Sequence, residues 1–159
     1  MRVMQAVVLA VCLPLAALTA QSADHVAVIA VADSALAAIS RSDFIALTDL
    51  MVDEATVIAT SVRNGVPEAR VTTRAQWRSR TAGQRLTERG WNPTVQLQAG
   101  IATVWYPYDF YIDGQWSLCG VDTFTLVKRG DRWLIVTLAY TIEQPPACER
   151  HPGGPPGEQ

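Results

Sequence analysis

The side chains best suited to chemistry in this sequence are two carboxylates and two phenols in its second half: Asp109, Asp122, Tyr111 and Tyr140. A carboxylate in an apolar pocket has a raised pKa and can exchange a proton with a bound molecule near neutral pH. A neighbouring tyrosine hydroxyl can stabilise a developing enolate or orient a substrate hydroxyl. Asp109 and Asp122 are therefore the candidate catalytic residues, acting by general acid–base chemistry.

Two other roles compete with catalysis for both aspartates. Either side chain could supply polar lining to a binding pocket. Either could also serve the backbone, because Asp122 follows Gly120-Val121 and can cap local N–H groups, and Asp109 after Pro107 can form an Asx-type contact. The sequence leaves catalysis, pocket lining and a structural role open.

Several other reaction classes are excluded by the residues available. The only histidines are His25, near the amino terminus, and His151, in the last ten residues. A Ser-His-Asp triad, a Cys-His pair and a histidine-based zinc site are therefore not expected, and no glycine-rich phosphate loop occurs. We expect no metal and no cofactor. With 13 Lys and Arg against 15 Asp and Glu, no strong positive field indicates nucleic acid as a partner.

The first twenty residues have the three-part order of a secretory signal peptide. Arg2 precedes the uncharged segment 3–20, whose apolar core ends at Pro14 and whose last residues are small. We expect cleavage after Ala20, and hence a secreted or periplasmic protein with no membrane association. An uncleaved anchor is the alternative, because the segment approaches the roughly 20 residues that a membrane span needs.

Cleavage would remove Cys12 and leave two cysteines, Cys119 and Cys148. An even number of cysteines in an oxidising compartment favours one disulfide between them, with two free thiols as the alternative. Residues 144–159 hold five of the nine prolines and three of the ten glycines, so a disordered tail is expected there, tethered by Cys148. The folded domain is then residues 21–143.

Hydrophobic spacing predicts three helices and then an antiparallel meander. The predicted helices are His25–Ser40, Phe44–Met51 after a cap at Ser42 or Asp43, and Arg74–Arg89, which a Thr73–Gln76 capping box begins and Gly90 closes. A strand over residues 56–62 turns at Asn64-Gly65 and returns to Val71. The remaining strands are Thr94–Gln98, Ile101–Ile112, Gln115–Val127 and Trp133–Tyr140. This order predicts an α+β fold in which a curved sheet wraps the helices around a pocket.

Four arginines share one face of the third predicted helix: Arg74, Arg78, Arg85 and Arg89. This face of the helix is either exposed to solvent or attracts an anionic partner. Trp77 and Leu86 would be the buried side of this helix.

The loop Asp113-Gly114 sets the pairing of the central hairpin. Counting outward from Ile112 opposite Gln115 places Asp109 opposite Leu118, and Trp105 opposite Asp122. The next hairpin brings Tyr140 to the same face. One face would then carry the expected ligand pocket, which is Trp105, Asp109, Tyr111, Leu118, Asp122, Phe124 and Tyr140. A slip of one residue would turn this set outward.

Short motifs in the second half of the sequence carry a resemblance to a known family. They are residues 105–111 (WYPYDFY), 113–114 (DG), 119–124 (CGVDTF), 133–135 (WLI) and 139–141 (AYT). Together they resemble exported bacterial members of the nuclear transport factor 2-like superfamily, the SnoaL-like proteins. The resemblance covers about residues 24–142. It implies a cone-shaped α+β domain with three amino-terminal helices, a curved antiparallel sheet and a central pocket, commonly forming a homodimer through the outer sheet face.

The same resemblance leaves several functions open, because the superfamily includes ketosteroid isomerase, scytalone dehydratase, polyketide cyclases and non-catalytic binding modules. In the subgroup that residues 105–124 resemble, a histidine often stands where this chain has Leu118. We expect an exported pocket domain that binds a small, largely apolar molecule. The alternatives are a cofactor-independent lyase or isomerase using Asp109 or Asp122, and a dimeric interaction module with a vestigial pocket.

Overall fold

The computed structural model describes the backbone of residues 15–157 and the side chains of residues 21–157. Its helices are α1 (Leu15–Ser40), α2 (Phe44–Asp49) and α3 (Arg74–Arg78). α1 begins ten residues before the predicted His25–Ser40 helix and ends at the predicted residue. The side chains of the predicted signal segment, residues 1–20, lie outside the described part of the chain.

The buried face of α1 is the apolar stripe that the sequence predicts, except that Ile29 is only half-buried. Its buried members are Val28, Ala32, Ala35, Leu36 and Ile39. By length and composition alone, Gln21–Ser40 could cross a membrane, and 33% of its apolar window is buried inside the fold. α1 therefore serves as the helix that the sheet packs against.

Both short helices begin at their predicted caps. The carboxylate of Asp43 accepts a hydrogen bond from the N–H of Ala46 at 2.9 Å. At α3, Thr73 and Gln76 form the reciprocal capping box, in which the Thr73 N–H donates to Gln76 Oε1 at 2.8 Å. α2 ends at Asp49, two residues before the predicted end, because Met51 already begins the first strand.

The strands form one seven-stranded sheet in the order β2-β1-β7-β6-β5-β3, with β4 also paired to β5. β1 and β7 are parallel and all the other pairs are antiparallel, so the sheet is mixed where the sequence predicted a wholly antiparallel one. The strands are β1 (Met51–Arg63), β2 (Val66–Thr73), β3 (Leu86–Gly90), β4 (Thr94–Gln98), β5 (Ile101–Ile112), β6 (Gln115–Arg129) and β7 (Arg132–Ile142).

The predicted helix Arg74–Arg89 is wrong beyond Arg78, because its second half is the strand β3. Pairing along β5, from Leu86 opposite Ile112 to Gly90 opposite Tyr108, satisfies backbone groups that a helix would otherwise have to satisfy. Gly90 is therefore not a helix cap. A Cβ there would lie 2.5 Å from Tyr106 Cδ1, so glycine allows close packing. The four predicted arginines do not share a helix face.

A β-bulge between β5 and β6 overturns the predicted register. Tyr111 pairs with Trp116 as expected, but Phe110 then pairs with Leu118, which leaves Ser117 as an extra residue. Every later pair is shifted by one, so Asp109 lies opposite Cys119, and Asp122 opposite Tyr106. The odd-numbered residues Trp105, Asp109 and Tyr111 consequently lie on the outer face of β5, away from the helices.

The pairing of β6 with β7 brings Asp122 and Tyr140 together. Asp122 lies opposite Tyr140, and Phe124 opposite Leu138, with a register shift between Thr125 and Leu126. Asp122 and Tyr140 thus share the inner face of the sheet, as expected, but as direct neighbours. Phe124 is fully buried in the core beneath them.

The carboxy-terminal tail is packed against the outer face of the sheet over its described part, residues 144–157, where disorder was predicted. Cys119 and Cys148 form a disulfide with Cα atoms 5.9 Å apart. The backbone N–H of His151 donates to Asp109 Oδ2 at 3.0 Å, and the Arg150 guanidinium lies 4.1 Å from the Trp116 ring centre. Covalent, hydrogen-bond and cation–π contacts hold a segment that buries little apolar surface.

Candidate functional site

A cavity of about 150 Å³ lies between the helices and the inner face of the sheet. Of the predicted pocket residues, Leu118, Asp122 and Tyr140 line it. Phe124 lies beneath it, and Trp105, half exposed, is on the outer face. The cavity is lined by Ile39, Phe44, Trp77, Arg80, Leu86, Glu88, Tyr108, Phe110, Leu118, Asp122, Leu138 and Tyr140.

Asp122 reaches the cavity from β6 and is only 2% exposed. Its Oδ2 is buried and has no hydrogen-bond partner among the described residues. Burial raises the pKa of this carboxyl well above its usual value, and the nearby Glu88 raises it further. Burial therefore favours the neutral form of Asp122, and no described residue forms a hydrogen bond with its Oδ2.

Glu88 is the second carboxyl at the cavity, and sequence reasoning missed it. Its Oε2 is also buried without a partner in the described chain, and burial raises the pKa of Glu88 to about 8. Ser40 fixes the backbone here, because its Oγ accepts from the Glu88 N–H at 2.8 Å and donates to the Glu88 carbonyl at 3.1 Å. The helical assignment of residues 74–89 hid this residue, although Leu86-Thr87-Glu88 is compatible with a strand.

Two tyrosines lie beside the carboxyls. The Tyr108 hydroxyl donates to the Thr141 carbonyl at 2.7 Å, and burial together with the charges of Asp122 and Glu88 raises the pKa of its phenol. Burial also raises the pKa of Tyr140, against an opposing effect of Arg70 and Arg80. Both phenols therefore stay neutral. Tyr108 is committed to the backbone, whereas Tyr140 is the phenol adjacent to Asp122 across the strand pair.

Asp109 has a different environment from Asp122. It is fully buried on the outer face, where Arg89 Nε and Nη2 donate to its two oxygens at 3.0 and 2.6 Å. The His151 N–H adds a third hydrogen bond, and Arg89 Nη1 donates to the Gly154 carbonyl at 2.8 Å. Asp109 joins β5, β3 and the tail, and it does not reach the cavity. Tyr111, 3% exposed, lies beside this ion pair and also points away from the cavity.

The site carries acid–base groups rather than metal ligands. Across the described residues, no three histidine, cysteine, aspartate or glutamate side chains are arranged to hold a metal ion. Two carboxyls that share one apolar cavity cannot both ionise easily, because the charge on one raises the pKa of the other. Such a pair can hold one acid and one base at the same pH.

Comparison with known proteins was informative only for the fold. No protein-family model matches the sequence, and no curated protein matches it. Solved structures do match. A nuclear transport factor 2-like protein with a cystatin-like fold from Novosphingobium aromaticivorans is 16% identical, with a TM-score of 0.64 over 80% of this chain and 87% of the other.

Two further matches come from the same organism. The β subunit of a candidate aromatic-ring-hydroxylating dioxygenase is 13% identical, with a TM-score of 0.66 over 79% of this chain and 92% of that one. A candidate scytalone dehydratase is 12% identical, with a TM-score of 0.60 over 80% and 89% of the two chains. At these identities the likeness is one of fold. The chain has the α+β fold of the nuclear transport factor 2-like proteins, as its sequence motifs indicated.

Proposed function

We propose that this protein binds a small, largely apolar molecule in its cavity and moves a proton on it without a cofactor, as a lyase or isomerase does. One observation carries the proposal: Asp122 and Glu88 both line the cavity, and each has a buried carboxyl oxygen without a hydrogen-bond partner among the described residues. Asp109, the other predicted catalytic residue, has no part in it.

The two carboxyls can divide the work of acid and base. Loss of one proton from the pair leaves a carboxylate that can remove a proton from the substrate, while the remaining carboxylic acid can donate one to it. Tyr140 stands next to Asp122 across the strands and can donate a hydrogen bond to a developing enolate oxygen. Burial against the apolar lining raises the pKa of both carboxyls above its usual value.

The size of the cavity limits the substrate. A cavity of about 150 Å³ is comparable to one that holds a benzene-sized ligand. A single ring or a short branched chain is therefore the expected substrate, and a steroid-sized molecule is not.

Proton exchange is the most direct test of this proposal. Purified protein is incubated with small cyclic ketones such as cyclohexanone in D2O, and deuterium incorporation next to the carbonyl is followed by mass spectrometry. Asp122→Asn and Glu88→Gln should each lower the catalysed rate by about 100-fold or more, and Asp131→Asn, in the exposed β6–β7 turn, should leave it unchanged. Equal rates in all four proteins would eliminate the acid–base proposal.

Binding without turnover is the second candidate. The observation in its favour is the mostly apolar lining, with Ile39, Phe44, Leu86, Phe110 and Leu138 around the two acids. Native mass spectrometry of the protein from its own host would then reveal a retained small molecule, while no ketone exchanged protons. The third candidate is an interaction module with a vestigial pocket. The cavity does not favour this candidate, because side chains do not fill the cavity.

A further inference from the structure

The cavity contains one cation as well as two acids. Arg80 lines it just after the end of α3, where its backbone N–H donates to the Trp77 carbonyl at 3.1 Å. Its guanidinium lies 3.9 Å from the centre of the Trp77 ring. Stacking on an aromatic face holds the guanidinium plane and leaves its N–H groups free at the edge, which is the arrangement that binds carboxylates with two hydrogen bonds.

Arg80 has no acidic partner within the described chain, unlike its neighbours. Arg74 pairs with Asp53 at 3.3 Å, and Arg78 pairs with Asp49 at 2.6 Å. Arg80 makes no ion pair and no side-chain hydrogen bond among residues 21–157. Partial burial lowers the pKa of its guanidinium, so the fold bears the cost of desolvating a charge that no described acidic side chain neutralises.

The other groups facing the cavity favour an anion next to Arg80. Burial raises the pKa of Glu88 and of Asp122, which disfavours negative charge in the cavity, and burial raises the pKa of the Tyr108 and Tyr140 phenols as well. α1 and α2 contribute only Ile39 and Phe44, which are apolar. Arg70, on β2, adds a second positive charge beside Tyr140. An entering anion therefore meets positive charge beside two carboxyls whose ionisation burial disfavours.

We propose that the natural ligand of the cavity is a small organic acid whose carboxylate is bound by Arg80 and whose apolar body extends toward Asp122 and Glu88. The inference rests on the proposed function in so far as it names the substrate class of that site. Arg80 is partly exposed, whereas the reactive oxygens of the two acids are buried. The charged end of the ligand would therefore lie at the cavity entrance and its reacting carbon inside.

The test compares benzoate with benzamide, which has the same shape without the charge, by calorimetric titration of the full chain at pH 7. Benzoate should bind at least about tenfold more tightly. Arg80→Gln should abolish that preference and leave benzamide binding unchanged, and Arg80→Lys should retain part of it, since lysine keeps the charge but not the fork. Arg85→Gln, which removes an exposed arginine from the same loop, should behave like the unaltered protein.

Equal affinity for the two compounds, or a benzoate preference that survives in a folded Arg80→Gln protein, would overturn the anion site. Benzoate affinity should also fall above the pKa of Glu88, about 8, because the ionised acid then repels the ligand. Failure of ketone exchange together with an Arg80-dependent benzoate preference would reject the acid–base proposal and leave the anion site standing. The reverse pattern would reject only the anion site.

Discussion

Two aspartates of this chain show how the surroundings of a side chain decide its chemistry. Asp109 receives two hydrogen bonds from Arg89 and one from a backbone N–H, so every part of its negative charge is matched. Asp122 has an oxygen with no partner in the described chain and a raised pKa. The first carboxyl is a structural group in a buried ion pair and the second is an acid whose ionisation burial disfavours, although the sequence offered both as catalytic candidates.

The structural role of Asp109 predicts a large loss of stability when its partner is removed. Arg89→Ala should lower the free energy of unfolding by about 3 kcal/mol or more, because it leaves a buried carboxylate unpaired. The double variant Arg89→Met/Asp109→Leu should recover much of that loss, since it leaves no buried charge. Urea unfolding measures both. If the double variant were as unstable as the sum of the two single variants, the ion pair would not be the source of the effect.

The raised pKa of Glu88 predicts a stability that falls as pH rises. The unfolded chain releases this proton near pH 4.5 and the folded chain near pH 8. Between these values the folded state binds more protons, so the free energy of unfolding decreases with pH, by up to about 1.4 kcal/mol per pH unit. Above about pH 8 this contribution is constant.

Glu88→Gln should flatten the pH dependence and make the protein more stable than the unaltered chain at about pH 8. Urea unfolding at a series of pH values between the two pKa values tests it. Glu54→Gln, at an exposed position of β1, is the matched control and should keep the original slope. A Glu88→Gln protein with that same slope would show that Glu88 ionises normally in the folded state.

At the scale of elements, the sequence predicted those features of the fold that depend on interactions between neighbouring residues. The bounds of β4 and β5 and the Thr73–Gln76 capping box match the prediction because period-two alternation, tight turns and caps are properties of neighbouring residues. The end of α3 did not match, because Leu86–Gly90 has a strand partner in β5 that is distant in sequence. Tertiary pairing outweighed the helical spacing of the arginines.

The candidate site was predictable only in part, for the same reason. Asp122, Leu118 and Tyr140 were placed at the cavity, but Glu88 was assigned to a helix and Trp105, Asp109 and Tyr111 to the wrong face. A β-bulge depends on how two strands pair with each other, and the segment Trp116-Ser117-Leu118 contains no local signal that predicts one. Arg80 lies at the cavity because α3 ends before the predicted end of the helix and the chain then turns back along the cavity.

The disulfide ties the tail to β6 and should account for much of its order. A crosslink between residues 29 apart in sequence contributes about 3 to 4 kcal/mol when the unfolded chain is constrained. Reduction with dithiothreitol should lower the free energy of unfolding by a similar amount and increase hydrogen exchange in residues 144–157. Cys119→Ser/Cys148→Ser should behave like the reduced protein and respond no further to dithiothreitol. Unchanged exchange in the tail after reduction would show that its polar contacts suffice.

For the whole molecule, a side-chain anchor near the start of α1 bears on the proposed export. Asp24 Oδ1 accepts hydrogen bonds from Lys128 Nζ at 2.6 Å and from Trp133 Nε1 at 3.0 Å. This anchor lies after Ala20, so cleavage at the proposed position would keep it in the mature chain. Expressed with its own leader in a bacterium, the protein should appear in the periplasm or medium with an intact mass lacking residues 1–20. Recovery of the uncleaved chain from the membrane fraction would favour the anchor alternative.

The bulge at Ser117 has a consequence for the evolution of such cavities. If Ser117 were paired instead of bulged, it would lie opposite Phe110 and bring Leu118 opposite Asp109, and one of the two strands would have to turn its cavity-facing side chains outward. The presence or absence of a bulge can therefore exchange the set of residues that meets the ligand without any change in amino-acid composition. Alignments that run through this hairpin without a gap would match reactive residues of one protein to surface residues of another.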